Sequence, residues 1–219
     1  MFRAIAIISF IATFAGIGVH WIAFPADKER RYGPMAILRK LVCLLTLLLV
    51  KQKLSPLGVL KKLCFLLALL CFVVLAVTGF YQRVVLSEPI SGYFVMVHAT
   101  FAPVFAICLA VLAVLWASSH RFERNDWPLL QRIIERVTLQ KQSPEESVCK
   151  SSSVVQKITF WVIILLALPL ILSIVSSMFP FFGTSWQEFL LAAHRWTALV
   201  FAVVAIIHIY LVIRTQLKQ

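Results

Sequence analysis

Acidic side chains are scarce in this sequence. Aspartate and glutamate together number 9, against 21 lysines and arginines, and the formal net charge is +12. None of the nine lies within the long apolar runs of the chain, and no internal repeat is present. A transporter that relays protons or holds a cation inside the membrane commonly uses charged side chains and repeated, broken helices. The scarcity therefore argues against that class, although histidines remain as candidates for such a role.

The sequence also lacks the usual marks of an autonomous enzyme. It has no C-x-x-C-H haem attachment motif, no phosphate-binding loop and no nucleophile–base constellation. Its cysteines are odd in number and scattered, which argues against a disulfide framework or a zinc site: Cys43, Cys64, Cys71, Cys108 and Cys149. We therefore expect a non-catalytic subunit that leaves substrate chemistry to a partner.

Apolar residues are abundant instead. They make up 61% of the chain, and the mean hydropathy is +0.93. A transmembrane helix needs about 20 predominantly apolar residues. The sequence predicts an all-α integral membrane protein with five spans: Phe2–Phe24, Leu63–Tyr81, Tyr93–Ala117, Ile158–Met178 and Leu190–Ile213. The first span is expected to be retained, because a signal peptide would carry a stronger basic region than Arg3 and a cleavage pattern after it.

The predicted organisation has three parts. Residues 1–25 form the N-terminal transmembrane helix, residues 26–60 a basic cytoplasmic loop, and residues 61–219 a four-helix bundle with a cytoplasmic loop at 118–157. Within the first loop, Leu41–Val50 would cover only about 15 Å as a helix, half the hydrocarbon thickness, which predicts an interfacial or re-entrant segment. Within the second, "DWPLLQRIIERVTLQK" predicts an amphipathic surface helix capped by Asp126.

The positive charges predict the orientation. With the N-terminus outside and the C-terminus in the cytoplasm, only Arg3, Arg83 and Arg195 of the 21 basic residues face outward. This is the pattern of a multi-pass protein of a bacterial-type inner membrane, surrounded by lipid. Nucleic-acid binding is excluded as an explanation of the charge, because no soluble domain is left to perform it.

Histidines are the chemically informative residues. Four of the five lie in predicted spans: His20, His98, His194 and His208; His120 lies in a loop. His194 and His208 are fourteen positions apart, about 40° short of four full helical turns, so they share a face at levels about 21 Å apart. One metal ion cannot use both, whereas two haems stacked across the membrane can. Two other interpretations remain open: a transporter with histidine relays, or a non-haem membrane anchor.

Depth predicts the pairing of the histidines. His98 and His194 lie at the outer ends of parallel helices and are expected to hold one haem iron. The position matching His208 in the third span is Leu112, and His120 lies about 12 Å beyond it, where we expect a solvated loop residue. His20 matches His208 in depth, which makes it the expected second ligand of the inner haem.

Three stretches carry a family resemblance, namely "VLAVTGF", "GYFVMVH" and "HRWTALVFAVVAIIHIYLVI". Over Leu60–Arg214 the chain resembles the four-helix dihaem b-type cytochromes, which include the gamma subunits of membrane-bound formate dehydrogenase and the cytochrome b subunits of nickel–iron hydrogenases. The resemblance implies that the last helix supplies one ligand to each haem, with His194 and His98 as the outer pair and His208 as an inner ligand.

The chain departs from this family at one place. The remaining inner ligand usually lies near the inner start of the helix that ends in Thr-Gly, where this sequence reads "KKLCFLLALL" without a histidine. Three arrangements follow: His20 on the additional N-terminal helix replaces the ligand, the inner site is empty, or a cysteine coordinates the iron.

The resemblance also implies function. It predicts electron transfer between an attached oxidoreductase or cytochrome subunit and the quinone pool, through two haems b, or one if the inner site is empty. A bound quinone is implied, but no residue combination identifies its site. Arg195, next to a proposed ligand, is expected to pair with haem propionates, and Arg83 is a second candidate for that role.

Overall fold

The structure is a computed structural model that describes residues 1–23, 55–128, 131, 147–179 and 183–218. These ranges contain helices and turns and no strands. The elements are α1 (Phe2–Ala23), α2 (Pro56–Phe80) with a π-helical continuation (Tyr81–Leu86), α3 (Gly92–Ala117), a 3-10 turn (Arg124–Asp126), α4 (Ser147–Ser177) and α5 (Thr184–Lys218). Five of the described helices are long and apolar enough to cross a membrane, which confirms the predicted all-α membrane architecture.

Helices α2 to α5 form a bundle, and α1 lies on its outside. Helix α2 packs along α3 and helix α4 along α5, while α1 contacts α5 and the end of α2. The contacts of α1 are few and largely aromatic: Phe10 meets Phe80 edge to face at 5.0–5.1 Å between ring centroids, as Phe2 meets Trp196. Ala6 is the one buried residue of α1. Most of this helix is therefore left to face lipid.

Polar contacts at both ends fix the direction of α1. Arg3 donates to Ser87 Oγ at 2.5 Å, just after α2 ends. At the other end, His20 Nδ1 lies 2.6 Å from Tyr210 Oη on α5. We name the end with residues 87–91 the outer end and the opposite one the inner end, following the predicted orientation. Residues 23 and 55 both lie at the inner end, as expected if the chain between them makes no net crossing; Leu41–Val50 itself lies outside the described residues.

The helices extend beyond the predicted boundaries. Helix α2 begins at Pro56 rather than after residue 60, because Ser55 Oγ accepts the Gly58 N–H at 3.2 Å and proline fits the first turn. Helix α4 begins at Ser147, inside the predicted loop 118–157, and α5 runs from Thr184 to Lys218. Apolar run length predicts the membrane-embedded part of a helix and misses polar turns that continue it into water.

Asp126 lies at the end of the 3-10 turn, directly before the expected amphipathic helix. Its Oδ2 accepts the Glu123 N–H at 2.9 Å and lies 2.7 Å from Lys157 Nζ, so it closes the 3-10 turn and ties it to α4. These two partners hold the pKa of the Asp126 carboxyl below its usual value, the backbone hydrogen bond being the larger cause. The amphipathic helix expected after it falls almost entirely outside the described residues.

Candidate functional site

Two cavities lie one above the other inside the bundle. The outer one is lined by His98 and His194, and the inner one is lined by His208. Three packed phenylalanines and a leucine line both cavities and so form their shared wall: Phe72, Phe105, Leu109 and Phe201.

The hydrogen bonds of His98 prepare its ring for metal binding. Thr78 Oγ1 donates its hydrogen to the Val74 carbonyl at 2.7 Å and lies 2.9 Å from His98 Nδ1. Because the hydroxyl hydrogen is already used, the hydroxyl oxygen accepts from Nδ1–H. The lone pair of His98 is then on Nε2, which is the arrangement that metal-binding histidines adopt.

Gly79 allows the His98 ring to lie close against α2. A Cβ atom at this glycine would stand 3.2 Å from His98 Cε1, tighter than an ordinary carbon contact. A side chain here would push the imidazole away from Thr78. The "TGF" ending of α2 thus has a local explanation, with threonine orienting the ring and glycine making room for it.

His194 reaches the same cavity from α5 with the same tautomer. Its Nδ1 lies 2.9 Å from the Leu170 carbonyl oxygen of α4. A carbonyl only accepts, so Nδ1 carries the hydrogen and Nε2 keeps its lone pair. The structure therefore brings His98 and His194 together as the sequence predicts, each with its second nitrogen held by a neighbouring helix.

The wall of the outer cavity fits a flat macrocycle. Six of its lining residues are alanines, distributed over all four helices of the bundle: Ala76, Ala102, Ala106, Ala167, Ala198 and Ala202. Such small side chains leave space between the helices. Near the outer end, the half-buried Arg195 lies close enough to Arg83 for their charges to repel, and neither arginine lines the outer cavity.

His208 lies in the inner cavity with a similar hydrogen bond. It is only 8% exposed, and its Nδ1 lies 2.8 Å from Thr159 Oγ1. The threonine hydroxyl donates to the Gln156 carbonyl at 3.1 Å and therefore accepts from Nδ1–H. This leaves the Nε2 lone pair of His208 available, as at the outer level.

The structure does not bring His20 into this cavity. Its Nδ1 faces Tyr210 Oη and accepts from the Arg214 guanidinium. Tyr210 and Arg214 follow His208 by two and six residues, which places them about 200° and 240° around α5. Helix α5 thus stands between His20 and the inner cavity. His20 as an inner ligand stays a prediction, and its contacts favour a role in holding α1.

His120 is not the solvated residue that its position in the loop predicts. Its ring stacks on Phe160 at 4.2 Å, its Nδ1 lies 3.1 Å from the Trp116 carbonyl, and its own carbonyl accepts from Trp161 Nε1 at 3.0 Å. Burial lowers the pKa of this imidazole. His120 does not line the inner cavity, although Phe160, on which it stacks, does. Trp116, one turn before His120, and Phe160, forty residues after it, are the features of the sequence that could have indicated its burial.

A haem iron would need no protein ligands at the outer cavity beyond the imidazoles of His98 and His194. Among the described residues, no group of three or more His, Cys, Asp or Glu side chains is arranged to hold a metal ion. A haem iron takes four ligands from its macrocycle and requires at most two from the protein. The pair of imidazoles in the outer cavity matches this requirement.

The family assignment agrees with this geometry. The family model of prokaryotic cytochrome b561 matches residues 63–219, which covers α2 from Leu63 to the end of α5 and leaves α1 outside. No curated protein and no solved structure matches the chain. Membership implies binding of b-type haem and transfer of electrons across a membrane. With its cavity-lining histidines at two levels of one bundle, this chain belongs to the prokaryotic cytochrome b561 family.

Proposed function

We propose that this protein is a membrane cytochrome b subunit that carries electrons between an attached oxidoreductase module and the quinone pool. The observation that carries the proposal is the outer cavity, in which His98 and His194 meet with both Nδ1 atoms hydrogen-bonded and both Nε2 atoms available. When bound there, haem b supplies a one-electron carrier.

The residues of the chain prepare this site in three ways. Thr78 and the Leu170 carbonyl orient the two imidazoles, so little reorganisation is needed when iron binds. The alanine-rich wall keeps the surroundings apolar, which is one of the factors that set a haem potential. Arg195, next to the proposed ligand His194, and its neighbour Arg83 are the cations that we expect to pair with the propionates.

The proposed orientation places the N-terminus outside and the C-terminus in the cytoplasm of a bacterial-type inner membrane. The positive-inside rule supports it, because the basic residues concentrate at the inner end. Quinone or quinol, and an oxidoreductase or cytochrome subunit, are the proposed partners. The chain lacks substrate chemistry of its own, so a partner must supply or accept the electrons.

A difference spectrum tests the proposal directly. Purified protein should show b-type bands on reduction, whereas a transporter or a non-haem anchor would show none. His98→Ala and His194→Ala should each abolish the low-spin signal of the outer haem. His120→Ala is the matched control and should keep that signal, since His120 lies outside both cavities. If His120→Ala lost every haem band while His98→Ala and His194→Ala kept theirs, the assignment of His98 and His194 as ligands would be contradicted.

A further inference from the structure

Among the residues that the structure describes, one potential iron ligand lines the inner cavity. All five histidines lie in described residues, and His208 alone lines this cavity. Cys64 and Cys108 pack nearby but are not part of its lining. Apart from His208 and the Trp116 indole, the lining side chains are hydrocarbon. The outer cavity, by contrast, offers two imidazoles.

Phe65 occupies the level where a second inner ligand would stand on α2. At the outer level, the His98 ring packs against Gly79 of α2. His208 follows His194 by fourteen residues on α5. Because α2 runs in the opposite direction, the matching position on α2 is fourteen residues before Gly79, which is Phe65. Phe65 lines the inner cavity together with His208. A phenyl ring cannot coordinate iron, so this position lines the cavity without providing a ligand.

We propose that the inner cavity holds its haem through His208 alone and leaves the sixth position of the iron open to a neutral diatomic gas such as carbon monoxide or nitric oxide. This inference rests on the proposed function, which places a second haem there. A haem with one histidine ligand binds such gases, and the polarity of the open side decides which. Hydrocarbon walls give no hydrogen bond to a charged ligand such as cyanide and favour a neutral one. Binding forms one dative bond, and no group leaves.

Haem stoichiometry combined with carbon monoxide binding tests the proposal. The whole chain, purified in detergent, should contain two haems, of which only one shifts its reduced spectrum with carbon monoxide. The oxidised protein should show one high-spin and one low-spin iron by electron paramagnetic resonance. A single haem per chain, or two haems that both ignore carbon monoxide, would overturn the inference.

Substitution of Phe65 provides a gain-of-ligand test. Phe65→His should add the missing imidazole, convert the inner haem to low spin and abolish carbon monoxide binding without changing haem content. Leu63→His is the matched control: Leu63 lies two residues earlier on α2 and is 54% exposed, so carbon monoxide binding should persist. His208→Ala should remove the gas-binding haem. If that variant does not fold, Phe65→His still tests whether the inner haem lacks a second protein ligand.

Two further variants separate this inference from its alternatives. His98→Ala should abolish the low-spin signal of the outer haem, while the inner haem still binds carbon monoxide. If the outer haem is retained through His194 alone, a second carbon monoxide-binding haem should appear, so failure of the outer site is distinguishable from failure of the inner one. His20→Ala should leave the spectrum with carbon monoxide unchanged. Carbon monoxide binding that appears only after His20→Ala would contradict the inference and establish His20 as the second ligand.

Discussion

At the scale of single residues, one arrangement is repeated at all three cavity histidines. Each Nδ1 is held by an oxygen of a neighbouring helix, which is a threonine hydroxyl for His98 and His208 and a backbone carbonyl for His194. In both threonines the hydroxyl hydrogen is donated within its own helix. The tautomer and ring orientation of each imidazole are therefore set before iron arrives.

Removing a threonine hydroxyl tests this preparation. Thr78→Val and Thr159→Val keep the side-chain shape but remove the acceptor for Nδ1–H. We expect roughly 10–100-fold weaker retention of the haem, the usual effect of losing a partner of a metal-bound histidine. Haem loss to an apo-protein acceptor measures it, with the outer haem affected by the first variant and the inner by the second.

Thr100→Val is the control for these two variants. Thr100 lies on α3 two residues after His98, but its hydroxyl donates to the Met96 carbonyl and is exposed. Haem retention should remain at the level of the unmodified protein. Equal weakening in all three valine variants would mean that threonine in these helices matters for folding rather than for the ligands.

A methyl group at Gly79 should disturb the outer haem. The added Cβ would stand 3.2 Å from His98 Cε1, so the ring must shift by a few tenths of an ångström and lengthen its bond to Thr78. Gly79→Ala should shift the midpoint potential of the outer haem, measured by redox titration. Gly16→Ala has no atom within 4 Å of its Cβ and should change nothing in that titration.

At the scale of secondary-structure elements, α1 is an addition fixed mainly at its ends. Its outer end is joined to Ser87 through Arg3, and its inner end to α5 through His20, Tyr210 and Arg214. Between them lies an aromatic contact of Phe10 with Phe80. A helix held in this way loses its fixed position more readily than one buried in the bundle.

Tyr210→Phe should loosen the inner end of α1 and spare the haems. The substitution removes the hydroxyl that lies 2.6 Å from His20 Nδ1 and also bonds to Arg214. Loss of such bonds costs about 0.5–1.5 kcal/mol each. Hydrogen exchange should become faster in the last turns of α1, while the difference spectrum stays unchanged. A changed spectrum would instead connect this cluster to haem binding.

The Asp126–Lys157 pair makes the loop after α3 sensitive to acid. The folded pKa of Asp126 is lowered, so its stabilising contribution is complete above the ordinary carboxyl pKa of about 3.9 and is lost as pH falls through the folded value. The thermal midpoint of the protein should exceed that of Asp126→Asn at neutral pH, and the difference should shrink below about pH 4. A constant difference across this range would contradict the assignment.

At the scale of the whole molecule, α1, α3 and α5 run in one direction and α2 and α4 in the other. Arg3 beside Ser87 and His20 beside Tyr210 establish this for α1. Residues 1 and 218, the ends of the described chain, therefore lie at opposite ends of the bundle. Six of the described basic residues lie toward the end where α5 finishes: Lys61, Lys62, Arg121, Arg124, Lys157 and Arg214.

The proposed orientation predicts which reporter fusions are active. A fluorescent protein that folds only in the cytoplasm should be bright when fused after Lys218, and alkaline phosphatase, which needs the periplasm, should be active when fused within 87–91. The opposite pattern at both positions would reverse the orientation while leaving the haem assignment intact.

The sequence predicted the lengths of the membrane helices and the depths of the histidines within them. Apolar runs predicted all five helices because crossing the hydrocarbon demands about 20 apolar residues. The fixed rise of a helix placed His98 level with His194, and the structure brings both into one cavity. The length of apolar runs does not reveal polar helix ends, such as the first turn of α2 after Ser55, because polar residues are stable where a helix extends into water.

The depth of a histidine in the membrane does not say in which direction its side chain points around the helix axis. His20 matches His208 in depth, but α1 packs on the Tyr210 side of α5, away from the inner cavity. His120 follows α3 in sequence, yet stacking on Phe160 draws it into the protein. Both outcomes depend on which faces of separate helices meet, and no local pattern in either helix encodes that choice.

By itself, the sequence determined a five-span helical membrane protein with imidazoles at two levels of its last helix, because apolar run length and helical rise are properties of single segments. Only the tertiary structure decided which histidines share a cavity, which oxygens hold their Nδ1 atoms, and that Phe65 rather than a histidine lines the inner cavity with His208. These are relations between segments distant in sequence, and packing of the whole bundle sets them.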